Sequence, residues 1–318
     1  MPHIRLFGFE TSANMELATP MAMSSLLSET ELFFRCHLNG QKVETPTSFR
    51  KALYLSNSLN ASGEPSLQLF EDDQSTWLMR FPAVADFYLR PGEIECRLVD
   101  PKLAFMIDVL LLGHVMACYL ERQGVLALHA GALVVGNQAV LLAGDKGAGK
   151  SSMVASMVTA GFPLMSDDIA AVEESDGKVL CRSAFPQVKL TPQQLERFTN
   201  GSETSYPRFH PGFTKLSVPV SDLGGFDPGP RPVGVIYLLE RGQVESPVIE
   251  TLPPARAVME LARHSFLGHI LEVTPLLRDR FAHLVRVARA VPVRRLSYPD
   301  GFDRLADVHA AIQCDLGA

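Results

Sequence analysis

The stretch "GDKGAGKS" combines glycines, a lysine and a serine at a spacing that could bind phosphate groups. It begins at Gly144, follows the apolar run "QAVLLA", and leads into a run compatible with a helix. In such a strand, turn and helix, backbone N–H groups curl around an anion and the helix dipole adds to the attraction. The spacing predicts a nucleotide-binding turn made of Gly144, Asp145, Lys146, Gly147, Ala148, Gly149, Lys150, Ser151 and Ser152.

Within this turn, two side chains have the chemistry to handle a triphosphate. The ammonium group of Lys150 would reach the outer phosphates, and the hydroxyl of Ser151 would bind the Mg²⁺ ion that bridges them. The predicted ligands are therefore ATP, or another nucleoside triphosphate, and Mg²⁺. The turn contacts phosphates and carries no signature for the base.

A pair of carboxylates follows soon after, in "PLMSDD". Asp167 and Asp168 stand at the end of an apolar strand, and we expect that strand to be parallel to the one before the turn. Beside bound phosphates, one carboxylate can help to hold a metal ion while the other accepts a hydroxyl proton. Alternatively, the pair only caps a turn. A switch-type nucleotide hydrolase usually has its metal aspartate later in the chain, so the pattern favours phosphoryl transfer to a hydroxyl group.

Histidine and basic residues could complete this site. His129 lies in "LALHAGAL", and a hairpin would bring its ring to the same sheet edge as the carboxylates, which could keep it charged or orient it. A transferring phosphoryl group also needs positive charge around its oxygens. Candidates include Lys189, Arg208 and Lys215. We favour Arg208 and Lys215 as phosphate or substrate contacts, because their segment could close over a substrate.

The elements around these residues divide the chain into a β-rich part and an α/β part. Residues 1–100 favour strands, with a weak helix signal at "SFRKALYLSNSL", and predict an N-terminal module that could recognise substrate. A helix over 101–123 begins with the Asp100-Pro101 pair and ends before Gly124. Together with this helix, residues 101–318 are predicted to form the second domain, which makes the chain α/β in fold class, or α+β overall.

The second domain is predicted from strands that alternate with helices. A helix over 150–160 ends before Gly161, a hairpin turns at Asp176-Gly177, and "PVGVIYLLE" is a further strand. Helices are expected over 255–271, 276–290 and 302–313. Residues 192–229 are rich in Pro, Gly, Ser and Thr and predict a long loop, which could cover a substrate.

Composition excludes several function classes. The net charge of −6 argues against a partner that is nucleic acid or an anionic membrane. The apolar run over 103–120 is interrupted by Asp108 and His114, so it favours a buried helix over a membrane span. The five cysteines form no CxxC pair, and the first residues do not resemble a signal peptide. We therefore expect reduced thiols in a cytoplasmic protein.

In the order of its motifs, the chain resembles the catalytic domain of HPr kinase/phosphorylase. The likeness covers about residues 125–168, from the strand with His129 to "LMSDD", and continues weakly through "FPQVKL" and "VGVIYLL". It implies a P-loop kinase fold in which Asp167 activates an acceptor serine and His129 lies beside it. Lys150 and Ser151 would keep their phosphate and magnesium roles, and Asp168 would support the metal.

"RPVGVIYLLE" does not reproduce a further glycine-rich signature of HPr kinases, which carries an acidic metal ligand. The chain is more similar to the diverged HPr-kinase-like enzymes of lasso peptide biosynthesis, which phosphorylate a serine of a precursor peptide. That resemblance implies a peptide acceptor. Because HPr kinases form hexamers, it also leaves a homo-oligomer open.

The leading hypothesis is an ATP- and Mg²⁺-dependent kinase acting on a serine of a peptide or protein. Two alternatives fit the same motifs. One is a kinase of a small molecule with a hydroxyl group. The other is a non-catalytic, nucleotide-gated module whose N-terminal sheet captures a peptide along an exposed edge.

Overall fold

The computed structural model describes residues 3–23, 31–38, 49, 51–208 and 212–317. These residues form a mixed α/β architecture in which three sheets are described. It divides into two compact units, the first made of residues 1–119 and 269–277 and the second of residues 120–268 and 278–318. The first unit thus extends beyond the predicted boundary at residue 100. Substrate recognition by this unit stays a prediction.

The first unit is built on strands that the β-rich pattern predicted. They are β1 (His3–Leu6), β2 (Phe9–Ala13), β3 (Ala22–Met23), β4 (Leu32–His37), β5 (Lys51–Leu55), β6 (Gln68–Glu71), β7 (Trp77–Phe81), β8 (Ala85–Arg90) and β9 (Glu93–Leu98). They form one sheet in the order β3-β1-β2-β4-β9-β8-β7-β6-β5. The weak helix signal was wrong, because residues of that stretch form β5 and pair with β6.

The helix predicted after residue 100 is present but interrupted. It comprises a 3-10 turn at Pro101–Leu103, α1 (Met106–Leu110), a π-helical turn at Leu111–Val115 and α2 (Met116–Arg122). Gly113 has non-helical angles (φ −102°, ψ −105°) and kinks the segment. The Asp108 carboxylate accepts the Thr19 backbone N–H at 2.9 Å, and burial raises its pKa. In the described part of the chain, the helices all fall short of the length and apolarity of a membrane span.

The second unit contains the strands on which the predicted site depends. They are β10 (Leu126–Leu128), β11 (Ala130–Val135), β12 (Gln138–Ala143), β13 (Leu164–Ser166), β14 (Ala170–Ser175), β15 (Lys178–Arg182), β16 (Gln187–Leu190), β17 (Leu216–Pro219), β18 (Arg231–Gly242), β19 (Val248–Thr251) and β20 (Val293–Pro299). Nine of them form a sheet in which the order β10-β14-β15-β18-β12-β11-β13 is extended by β19 and β20, while β16 and β17 pair separately.

Strand directions bring several chain segments to one edge of this sheet. β18 is parallel to both β12 and β20, whereas β11 runs antiparallel to its neighbours β12 and β13. As a result β12, β13, β18 and β20 all end at the edge where β11 begins, which we call the carboxyl edge. Crevices outside the carboxyl ends of strands are the usual ligand sites of α/β sheets.

Helices cover both faces of the sheet. They are α3 (Lys150–Thr159), α4 (Pro192–Phe198), α5 (Pro254–Arg263), α7 (Leu277–Ala290) and α8 (Leu305–Leu316), whereas most of α6 (Gly268–Leu271) belongs to the first unit. One core, which includes Leu141 and Ile236, packs against α5 and α7. Another, which includes Leu142 and Tyr237, packs against α3 and α8. Neighbouring residues of one strand thus lie in different cores, as strand geometry requires.

The segment predicted as a long loop contains regular structure. Its beginning forms α4, in which Thr191 caps the first turn and Gln194 completes a capping box. β17 lies further along and pairs with β16. The prediction of an unstructured cover over 192–229 was therefore wrong for these parts, and residues 209–211 lie outside the described residues.

Candidate functional site

A cavity of about 890 Å³ opens at the carboxyl edge of the second unit. Its lining combines residues that the sequence placed in a common site: His129, Asp145, Lys146, Gly147, Gly149, Lys150, Ser151, Ser152, Asp167, Asp168 and Lys215. Arg208 does not contribute to this lining; it is exposed and its backbone bridges to Leu216. The structure therefore assembles the glycine-rich stretch, the carboxylates and one of the two favoured basic residues.

The turn over residues 144–149, called here the glycine turn, depends on backbone angles that favour glycine. The φ angles are +154° at Gly144, +89° at Gly147 and +90° at Gly149. A Cβ atom at Gly144 would lie 2.9 Å from the Leu239 carbonyl oxygen. Helix α3 begins directly after the turn, at Lys150, so its N-terminus points into the cavity. This is the backbone arrangement that binds phosphate in other proteins.

The side chain of Tyr298 supports the glycine turn through a hydrogen bond, and the sequence analysis did not identify this residue. It lies near the end of β20, and its hydroxyl donates a hydrogen bond to the Ala148 carbonyl oxygen at 2.5 Å. Burial raises the pKa of Tyr298 to about 12, which keeps the phenol protonated and able to donate at neutral pH. The only local signal was the strand end in "LSYPDG", a tyrosine followed by turn residues.

Gly149→Ala is expected to lower the melting temperature more than Gly147→Ala. The two glycines have nearly the same φ angle, so alanine costs about 1–2 kcal/mol of backbone strain at either. At Gly149, however, the new Cβ would also lie 2.2 Å from the Tyr298 hydroxyl oxygen, whereas at Gly147 it would meet no described atom within 4 Å. Thermal unfolding followed by circular dichroism measures the difference. Adding Tyr298→Phe should shrink it, and equal melting temperatures for the two alanine variants would contradict the contact.

The two carboxylates are in different environments. Asp167 Oδ2 accepts the Lys189 backbone N–H at 2.9 Å, while Oδ1 is buried without a hydrogen-bond partner among the described residues. Burial and, secondly, the charge of Asp168 raise the pKa of Asp167. Burial alone would also raise the pKa of Asp168, but Lys189 and His129 hold it well below its usual range. Asp168 is thus a stable anion, and Asp167 is the better proton acceptor.

Asp168 is held by two side chains. Lys189 Nζ donates to its Oδ2 at 3.0 Å, and His129 Nδ1 lies 3.2 Å from its Oδ1. His129 stands between β10 and β11, where its backbone N–H donates to the His264 carbonyl at 2.7 Å, and its ring meets Phe266 edge-to-face at 5.7 Å. The histidine therefore contacts the second carboxylate of the pair and not Asp167.

Besides Lys146, which lines the cavity, three lysines place positive charge at the site: Lys150 and Lys215 line the cavity, and Lys189 contacts its carboxylates. Lys150 Nζ donates to the Gly144 carbonyl at 2.7 Å, and burial lowers the pKa of Lys150. Lys215 Nζ donates to Ser151 Oγ at 3.0 Å. The third is Lys189, on β16, which touches the carboxylate pair directly. At the carboxylates the structure thus has Lys189 in place of the favoured Arg208.

The N-terminus of α4 adds a contact that the sequence did not indicate. Gln194 forms the capping box of α4 with Thr191, and its Nε2 also donates to Ser152 Oγ at 2.8 Å. Both Thr191 and Gln194 line the cavity. The hydrogen bond between Gln194 and Ser152 connects the first turn of α4 to the first turn of α3.

The residues proposed for magnesium fit that ion by chemistry. Among the described residues, no group of three or more His, Cys, Asp or Glu side chains is arranged to hold a metal. Mg²⁺ in phosphate-transferring sites uses one or two protein oxygens, with substrate phosphates and water as its other ligands. The Ser151 hydroxyl and the Asp168 carboxylate are oxygen-bearing groups that both line the cavity, and each contacts a lysine ammonium group.

Comparisons with known proteins give likenesses to solved structures only at a distance. No protein-family model matches the chain, and no curated protein matches it. A solved structure similar to part of it is the Hpr(Ser) kinase/phosphatase from Coxiella burnetii, with 13% sequence identity and a TM-score of 0.33. The similarity covers 60% of this chain and 97% of that chain. It identifies neither an activity nor a substrate here, so the function proposed for this chain rests on its own site.

Proposed function

We propose that this protein is an ATP- and Mg²⁺-dependent kinase that transfers a phosphoryl group to a serine hydroxyl of a peptide or protein. One observation carries the proposal. Asp167, whose Oδ1 has no hydrogen-bond partner among the described residues, lines the same cavity as the glycine turn and the first residues of α3, Lys150 and Ser151. A proton acceptor and a phosphate cradle in one cavity are the two parts that transfer to an alcohol requires.

In this proposal each part of the transfer reaction is assigned to particular residues of the chain. Backbone N–H groups of the glycine turn bind the phosphates, and Lys150 exchanges its bond to the Gly144 carbonyl for a phosphate oxygen. Asp167 accepts the serine proton as the serine oxygen bonds to the terminal phosphorus. The bond from that phosphorus to the bridging oxygen breaks, which releases ADP. Ser151 and Asp168 would hold Mg²⁺, which would supply neutralising charge for the phosphate oxygens.

Lys189 and Lys215 provide the remaining charge compensation. Lys189 lies against both carboxylates through its backbone N–H and its ammonium group, which orients them relative to each other. Lys215 lies on Ser151 at the start of α3, within reach of a terminal phosphate. Positioned charge of this kind supplies much of the catalysis in phosphoryl transfer.

A peptide serine is the acceptor that we favour. The sequence resemblance implies precursor peptides of the lasso type, and the segment that contains α4 and β17 lies at the cavity through Thr191, Gln194 and Lys215. A peptide could bind along it. A short peptide with a serine near its end is therefore the first substrate to test.

Incubation of the protein with ATP, Mg²⁺ and candidate peptides should give a phosphate-sized mass gain on a serine, read by mass spectrometry. Parallel reactions with EDTA or with ADP should give none. Hydroxyl-bearing small molecules belong in the same screen. Phosphorylation of these alone would reassign the acceptor, and ATP binding without transfer to any acceptor would contradict the kinase proposal.

A further inference from the structure

The cavity has a second end, away from the carboxylates. Its lining there consists of Arg241, Tyr298, Asp300, Gly301, Phe302 and Leu305, which we call the β20 end. These residues come from the last part of β18, the last part of β20 and the beginning of α8. Apart from Tyr298, which supports the glycine turn, nothing in the proposed chemistry uses them.

Sheet topology separates the two ends of the cavity. The strands of the carboxyl edge lie in the order β13, β11, β12, β18 and β20. The carboxylates follow β13, the glycine turn follows β12, and Asp300 follows β20. Because neighbouring strands are about 4.8 Å apart, the outer strands β13 and β20 are separated by roughly 19 Å, with the glycine turn between them.

This order fixes the direction of a bound nucleotide. Transfer requires the terminal phosphate to lie beside Asp167, on the β13 side of the glycine turn. The other phosphates then lie over the turn, and the chain of phosphates leads away from the carboxylates. The nucleoside must therefore lie on the opposite side, over the ends of β18 and β20.

The β20 end has the chemistry that a nucleoside needs. Arg241 Nη1 lies 3.1 Å from Asp300 Oδ1, and the two side chains remain 44% and 74% exposed, so both can form further hydrogen bonds. The Asp300 carboxylate is held in place by the Gly301 N–H at 2.9 Å. Phe302 is fixed edge-to-face by Phe198 at 5.6 Å. A donor, an acceptor and an aromatic ring suit the polar edge of a base, the ribose hydroxyls and the face of a base.

We propose that Arg241, Asp300 and Phe302 form the binding subsite for the ribose and base of the nucleotide. This inference rests on the proposed function, because the direction of the nucleotide follows from transfer at Asp167. Phe302 contacts the base, and the Arg241–Asp300 pair binds its polar edge and the sugar hydroxyls. The subsite distinguishes a nucleoside triphosphate from inorganic phosphate chains, which the glycine turn alone does not.

Calorimetric titration with two ligands tests the subsite. Mg²⁺-ATP carries a nucleoside, whereas inorganic tripolyphosphate with Mg²⁺ has only the phosphate chain. Arg241→Ala and Phe302→Leu are each expected to raise the Kd for ATP about tenfold, the order of effect seen when stacking on a base is lost. The Kd for tripolyphosphate should stay at the wild-type value. Leucine keeps an apolar side chain against Phe198, and melting curves check that the variants fold.

Arg286→Ala is the matched control. Arg286 is also an arginine of the second unit, 55% exposed and paired with Glu174, and it does not line the cavity. Its removal should change neither the affinity for ATP nor that for tripolyphosphate.

Equal weakening of the binding of both ligands in Arg241→Ala and Phe302→Leu, or an unchanged ATP affinity, would overturn the subsite. So would a higher KM for the acceptor at unchanged ATP affinity. A wild-type protein that bound neither ligand would overturn the proposed function itself, and the subsite with it.

Discussion

Asp167→Asn is expected to reduce phosphoryl transfer by about 10²–10⁴-fold, the contribution typical of a general base. The carboxamide has the same shape as the carboxylate, and its oxygen can still accept the Lys189 N–H that Asp167 Oδ2 accepts at 2.9 Å. It cannot accept the serine proton. Because the proposed phosphate contacts are those of the glycine turn and Lys150, nucleotide affinity should remain nearly unchanged. Transfer from radiolabelled ATP and calorimetric titration with ATP measure the two quantities.

Asp176→Asn is the matched control for this substitution. Asp176 is the first residue of the β14–β15 turn, with φ +50°, a conformation that asparagine adopts readily. The same chemical change at this exposed position should leave transfer unaltered. Wild-type transfer by Asp167→Asn would remove Asp167 from the reaction. Loss of nucleotide binding together with a lowered melting temperature would mean that the residue acts in folding instead.

Arg280→Met is expected to lower the free energy of unfolding by about 3–5 kcal/mol, since it removes one partner of a buried ion pair. Arg280 Nε lies 3.1 Å from Glu121 Oε2, with the two side chains only 7% and 2% exposed. The guanidinium also contacts Ser265, and Glu121 Oε1 accepts the Ala127 N–H at 3.0 Å. Without the arginine, the carboxylate would stay buried with the backbone bond alone. Urea denaturation followed by circular dichroism gives the free energy.

The pH dependence of protein stability is a second test of the Glu121–Arg280 pair. Burial raises the pKa of Glu121, although Arg280 acts in the opposite direction. A carboxyl group whose pKa is raised in the folded state stabilises the protein at low pH. This contribution is lost as the pH increases from the unfolded-state pKa through the folded-state pKa. Removing Arg280 raises the folded-state pKa of Glu121 further and so widens the pH range between its unfolded and folded pKa. The Arg280→Met variant should therefore gain more stability than wild type when the pH falls from 7 to 5.

Two further variants separate the buried charge from the loss of an arginine. Arg286→Met breaks the exposed pair with Glu174 and should cost at most about 1 kcal/mol. Adding Glu121→Gln to Arg280→Met removes the buried charge and should restore part of the lost stability. A single Arg280→Met variant as stable as the Arg286→Met control would contradict the role of the buried pair.

Features that depend on short sequence patterns could be predicted. The hairpin at Asp176-Gly177 and the helix after the glycine turn are confirmed, because turn chemistry and caps act over a few residues. The strand before "SDD" is likewise present as β13. Its position in the sheet was not predictable, since β11 intervenes between β12 and β13 and runs in the opposite direction. Strand order depends on packing across the whole unit.

Two errors show where local patterns gave no answer. The stretch that forms β5 has a weak helix signal, yet Leu53 is buried in a sheet while Leu55 remains 50% exposed, so tertiary packing decided its state. The choice between Lys189 and Arg208 depended on tertiary contacts, because both residues are basic. Lys189 on β16 contacts Asp167 and Asp168, whereas Arg208 bridges to Leu216.

The support of the glycine turn by Tyr298 has a consequence for biosynthesis. The hydroxyl of Tyr298 bonds to Ala148 across 150 residues of chain, and β12 pairs with β18 across a shorter but still long interval, from Ala139 with Val233 to Ala143 with Leu238. Contacts of such high sequence separation form late, after the intervening polypeptide has left the ribosome. A nascent chain that has just exposed "GDKGAGKS" therefore lacks the Tyr298 contact, and the glycine turn can gain that support only after β20 has left the ribosome.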